Sequence, residues 1–156
     1  MHEKMNYILT APIQTGKTTS LISWSSEKND VHGILTPVVN GKRVFLNANT
    51  SELFPMEADG YEETIAVGRF LFSKKNFEKA ALIIRDAITK SGWLVIDEIG
   101  PLELRGEGFY TALNEVLKTR KEKIILVVRE GLAEKVKEHF KIDSAEIIKK
   151  IAWIRS

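Results

Sequence analysis

The chain has 156 residues, 44% of them hydrophobic and 28% charged, with a formal net charge of +2 and a pI near 8.8. These values exclude a disordered chain, and so even a charge balance gives no electrostatic ground for a nucleic-acid surface. The absence of cysteine removes disulfides, thiolate nucleophiles and cysteine zinc sites together and points to a reducing, cytoplasmic setting. No apolar run approaches the ~20 residues of a membrane-spanning helix, so no membrane is expected, and the opening residues carry no signal-peptide pattern. His2, His32 and His139 show no ligand spacing.

Asn6 to Thr10 reads as a short apolar strand, followed at once by Ala11-Pro-Ile-Gln-Thr-Gly-Lys-Thr18. This stretch meets the spacing G-x-x-x-x-G-K-[ST] at every specified position but the first, where Ala11 stands in for glycine. Gln14, Thr15, Gly16, Lys17, Thr18 and Thr19 are the expected phosphate cradle. Backbone N–H groups from Thr15 to Thr19 point inward, and the N-terminus of the next helix adds partial positive charge. Lys17 reaches the β and γ phosphates, and the Thr18 hydroxyl turns toward a Mg2+ ion bridging the same oxygens. Pro12 lacks an N–H that the cradle does not use, whereas Gln14 sits where many such loops carry a second glycine.

Thr18 to about Glu27 is the helix that the phosphates cap, with Leu21, Ile22 and Trp24 as core residues. Val31 to Thr36 reads as a strand in which Gly33 marks a bulge or a close backbone approach, and Pro37 ends it. Asn40-Gly41 lies between two β-rich runs and predicts a hairpin over Val38 to Leu46. Asn47 to Gly60 is polar, a loop long enough to cover a site. A further β stretch spans Glu63 to Phe72. Asn76 is placed to cap a helix from Phe77 to Lys90, stopped by Gly92.

Trp93-Leu-Val-Ile96 is a run of four apolar residues, the pattern of a strand buried on both faces, and Asp97 and Glu98 arrive at its end. Ligands of an open α/β sheet gather at the carboxyl ends of strands. Asp97 is therefore expected to hold Mg2+ through a water, and Glu98 to act as general base on the water in line with the γ phosphate. An acidic pair at an ordinary strand exit is the plainer alternative. Glu107 or Gly108 opens a helix to about Thr119, and Lys123 to Val128 is another apolar strand. Arg129 at its tip has two readings, a cation facing the transferring phosphoryl group or a solvated loop residue. Gly131 to Phe140 reads as an amphipathic helix. The tail from Asp143 to Ser156 is open between strand and helix, and Trp153 reads as core. These elements make one α/β domain over residues 1–156, a three-layer fold with a mostly parallel sheet, helices on both faces and an inserted β-hairpin.

Gly16-Lys-Thr-Thr19, Gly33-Ile-Leu-Thr-Pro37, Val67-Gly-Arg-Phe70 and above all Leu94-Val-Ile-Asp-Glu-Ile-Gly-Pro-Leu-Glu-Leu104 resemble the THEP1 nucleoside-triphosphatase family over nearly the whole chain. The resemblance implies a RecA-like P-loop fold that hydrolyses ATP, GTP and other nucleoside triphosphates with Mg2+ and broad base tolerance. By position it carries Lys17 and Thr18 to the loop, and Asp97 and Glu98 to the second phosphate-site strand; Ala11 and Gln14 depart from its usual glycines. A nucleotide or small-molecule kinase and a nucleotide-dependent switch would use the same residues, and sequence leaves those alternatives open. A helicase half lacks room for its second domain, and a thymidine-kinase-like enzyme lacks its zinc cysteines. The oligomeric state is not legible.

Overall fold

The computed structural model describes residues 6–10, 16–120 and 122–154. In chain order the elements are β1 (Asn6–Leu9), α1 (Lys17–Ser26), β2 (Val31–Leu35), β3 (Val38–Val39), β4 (Lys42–Asn47), β5 (Leu53–Pro55), β6 (Thr64–Val67), β7 (Phe70–Ser73), α2 (Lys74–Asp86), β8 (Trp93–Ile99), α3 (Pro101–Leu104), α4 (Tyr110–Thr119), β9 (Ile124–Val128), α5 (Ala133–His139) and β10 (Glu146–Ile148). A 3-10 turn follows at Ile151–Trp153.

The main sheet has the order β10-β1-β9-β8-β2-β4-β3, with β5 also paired to β4. From β10 to β2 every pairing is parallel, and β4 then adds antiparallel. Because β9 lies between β1 and β8, the carboxyl ends of β1 and β8 flank the tip of β9. Alternate side chains along the buried strands feed two apolar clusters. Tyr7, Leu9, Val31, Val95, Ile125 and Val127 pack on the α1 side with Leu21. Ile8, Ile34, Ile96 and Leu126 pack on the other with Phe77, Ile84, Leu113 and Val136, from α2, α4 and α5. Helices thus cover both faces, and burial on both sides explains the unbroken apolar runs. Trp24 meets Trp93 edge-on at 5.7 Å, a core role as expected.

At Gly33 (φ 112°) an added Cβ would run into the Val95 carbonyl, so this residue sets how closely β2 approaches β8. The predicted hairpin is present: Asn40 and Gly41 at positive φ join β3 to β4. The polar stretch after it is not all loop, since β5 pairs with β4 through Phe45 and Phe54. The expected strand over 63–72 is instead a hairpin, β6–β7, turning at Gly68-Arg69 as a separate two-stranded sheet.

Helix α2 starts before Phe77. Its cap is Ser73, whose hydroxyl accepts from the Asn76 N–H at 3.1 Å, while the Asn76 amide donates to the Pro55 carbonyl. The helix ends at Asp86 rather than Lys90, and the Arg120 guanidinium takes the carbonyls of Ala87, Ile88 and Lys90 that are left over. The tail resolves into both a strand, β10, pairing parallel with β1, and the 3-10 turn. Trp153 on that turn is 53% exposed, which corrects its reading as core. Among the described residues no helix is long and apolar enough to cross a membrane.

Candidate active site

The carboxyl ends of β1, β9, β8 and β2 present Thr10, Arg129, Asp97 with Glu98, and Thr36. Gly16 and the first turn of α1 stand over the same edge. Gly16 caps α1 at φ 77°, a left-handed conformation that glycine adopts without strain. Lys17 and Thr18 are half-buried at the helix start and Thr19 is exposed beside them. Gln14 and Thr15, the other expected cradle residues, lie outside the described residues.

Thr18 donates its hydroxyl proton to Asp97 Oδ2 at 3.0 Å, and the Thr36 N–H donates to the same oxygen at 3.2 Å. Asp97 is 1% exposed. Among the described residues its other oxygen, Oδ1, has no hydrogen-bond partner, and the buried hydroxyls of Thr10 and Thr36 also find none within hydrogen-bond geometry. Buried polar atoms are almost always satisfied, so orphans at the ends of three strands mark a place suited to a ligand, an ion or water. Burial raises the Asp97 pKa to about 6, with the neighbouring Glu98 charge adding to it and the Thr36 and Thr18 hydrogen bonds opposing it. A cation at Oδ1 would reverse that balance.

The donor set tests the fit of Mg2+. A carboxylate oxygen and a threonine hydroxyl are hard oxygen donors, and no group of three or more Asp, Glu, His or Cys among the described residues could cage a metal. Mg2+ typically takes one or two protein oxygens and completes its shell with phosphate oxygens and water, so Asp97 and Thr18 fit it.

Asp97 and Glu98 lie within β8, which continues to Ile99, rather than just beyond a strand end. The pairing with β9 slips between Asp97, opposite Val127, and Ile99, opposite Val128. Asp97 turns to α1, whereas Glu98 enters a cavity on the opposite side and ion-pairs with Arg43 Nη1 at 2.9 Å. Arg129 is exposed and lines that same cavity. The structure therefore groups Lys17, Thr18 and Asp97 on one side, and Glu98 and Arg129 on the other.

Arg43 and Thr36 escaped the sequence reading. Arg43 lies in a strand whose alternation does not reveal which partner it meets, and Thr36 acts through its backbone. Glu103, a carboxylate close by, is 2% exposed and accepts from the Gly100 and Phe109 N–H groups, each at 2.9 Å. Burial raises its pKa, and its two oxygens tie the backbone around α3. The Gly100-Pro-Leu-Glu103 spacing, half of a capping box with proline at the first helical position, was the signal for it.

A family model described as NTPase matches residues 6–151. The chain belongs to the THEP1 nucleoside-triphosphatase family. It is similar to nucleoside-triphosphatase THEP1 of Thermococcus kodakarensis, at 29% identity over 138 residues covering 80% of this chain and 77% of the relative. THEP1 of Methanopyrus kandleri is 26% identical over 131 residues, covering 78% and 72%. The crystal structure of THEP1 from Aquifex aeolicus shares the fold, with a TM-score of 0.74 at 20% identity over 93% of this chain and 89% of that one. The solution structure of a human cancer-related nucleoside triphosphatase shares it too, with a TM-score of 0.67 at 23% identity over 94% and 88%. Membership in the THEP1 family makes the chain an NTPase of RecA-like P-loop fold, and binding of nucleoside triphosphates follows from it.

Proposed function

We propose that the chain hydrolyses ATP, GTP and other nucleoside triphosphates to the diphosphate and phosphate, with Mg2+ and with broad base tolerance. The observation that carries this reading is the 3.0 Å hydrogen bond between the Thr18 hydroxyl and Asp97, which joins the start of α1 to a strand 79 positions away. A loop threonine and a strand-end carboxylate in contact are the two protein halves of a Mg-nucleotide site.

Backbone N–H groups at the start of α1 and the Lys17 ammonium hold the β and γ phosphates. Asp97 Oδ1 and the Thr18 hydroxyl are the residues that would hold Mg2+, which when bound neutralises charge on the phosphate oxygens. Glu98, oriented by Arg43, accepts the proton of the attacking water. Arg129 offsets the charge that develops on the transferring phosphoryl group.

Phosphate release from ATP, GTP, CTP and UTP, with Mg2+ and with EDTA, tests the reading. All four should be hydrolysed with kcat/KM values within about tenfold, or ~1.4 kcal/mol of discrimination, and EDTA should stop turnover. Turnover of one base alone, or undiminished turnover in EDTA, would contradict it.

A further inference from the structure

The carboxylate assigned as base is only partly exposed to water, with 26% of its side chain accessible. Glu98 stands at the polar end of a cavity of about 100 Å3 whose other walls include Met56, Phe70, Phe72, Phe77, Leu102 and Phe109. The walls are held by ring packing: Phe70 stacks on Phe72 at 5.7 Å, Phe72 meets Phe77 at 5.8 Å, and Phe77 meets Phe109 at 5.1 Å. Arg43 and Arg129 share the polar end with Glu98. Glu103 also reaches the cavity, but both its oxygens are committed to backbone N–H groups.

A water needs two to four polar partners to be held in a cavity, and aromatic walls offer none; an apolar cavity of about 150 Å3 instead takes benzene. A cavity of about 100 Å3 that ends at the exposed Arg129 suits one ring or a short branched chain, with a polar head at Glu98. We propose that this cavity is a second substrate site for a small alcohol with a ring or branched hydrocarbon body, and that the γ-phosphoryl group passes to its hydroxyl in preference to water. The inference rests on the reading of Glu98 as the base.

The alcohol oxygen attacks the γ phosphorus, and its proton passes to the Glu98 carboxylate. The bond from the γ phosphorus to the β–γ bridging oxygen breaks, and its electron pair leaves with the nucleoside diphosphate. The product is a phosphate monoester. At the polar end, two guanidinium groups face one available carboxylate, a sign of charge that suits the incoming phosphoryl group. Hydrolysis is the reaction that remains when no alcohol is bound.

The full chain, given Mg-ATP and either benzyl alcohol or 3-methylbutanol at millimolar concentration, tests this in two readouts. Saturation-transfer NMR reads binding of the alcohol, and phosphorus NMR separates ester from inorganic phosphate. Saturation transfer to the alcohol and an ester signal exceeding that of phosphate are expected. Val67 also lines the cavity, and Val67→Phe, which adds a ring's bulk there, should abolish both saturation transfer and ester. Should that variant fail to fold, Phe70→Ala widens the site instead and should shift ester formation from benzyl alcohol toward 2-naphthylmethanol. Absence of ester, or saturation transfer unchanged in folded Val67→Phe, overturns the second-substrate site while leaving Glu98-dependent hydrolysis standing. Phosphate release that survives Glu98→Gln overturns the base assignment, and this inference with it.

Discussion

Asp97→Asn should stabilise the protein in EDTA at neutral pH while removing its response to Mg2+. Burial moves the pKa of this carboxyl from 3.8 to about 6 in the folded state. Between those values the native state holds a proton that the unfolded chain has lost, so stability falls as pH rises, by ~1.4 kcal/mol per pH unit. The contribution is fully present below about pH 4 and is lost once pH has risen through about 6. Across that window the loss amounts to roughly 3 kcal/mol. The amide is uncharged at every pH, and its oxygen can still accept from Thr18 and the Thr36 N–H. In urea unfolding, the variant should therefore exceed the parent by about 1–3 kcal/mol near pH 8, and by little near pH 4. Mg-nucleotide should then raise the midpoint of the parent but not of the variant. A variant less stable than the parent near pH 8, or a difference independent of pH, would refute the claim that Asp97 is held in the fold at the expense of its charge.

Lys17→Ala should abolish phosphate release or weaken nucleotide binding while the protein still folds, as phosphate-release and thermal-melt measurements would check. Arg129→Ala should lower kcat more than it raises the nucleotide Kd, because its charge matters most during transfer; steady-state kinetics beside a binding titration separate the two. Glu103→Gln should destabilise by about 2 kcal/mol, since the amide cannot accept from both the Gly100 and Phe109 N–H groups, and urea unfolding reads that loss.

What the sequence reveals follows from what is local. The apolar runs of β8 and β9 and the Asn40-Gly41 turn each depend on neighbours in the chain, and each was legible. The adjacency of Thr18 and Asp97 was legible only because strand ends share one edge of a parallel sheet. Ser73 and Asn76 are both competent caps, and the choice between them is made by the Pro55 carbonyl, which takes the Asn76 amide. β10 has three residues and gains its strand form from pairing with β1, so its own sequence could not declare it. The partnership of Glu98 with Arg43 joins two strands separated by β2 in the sheet, a relation that no periodicity encodes.

In the proposed mechanism Glu98, next to Asp97, takes the proton of the attacking nucleophile. The most direct measurement is phosphate release by Glu98→Gln and by the parent, with Mg-ATP affinity measured for both. Similar affinity and a fall in turnover on the order of 100-fold or more are expected. Turnover that survives in a folded Glu98→Gln protein would contradict it.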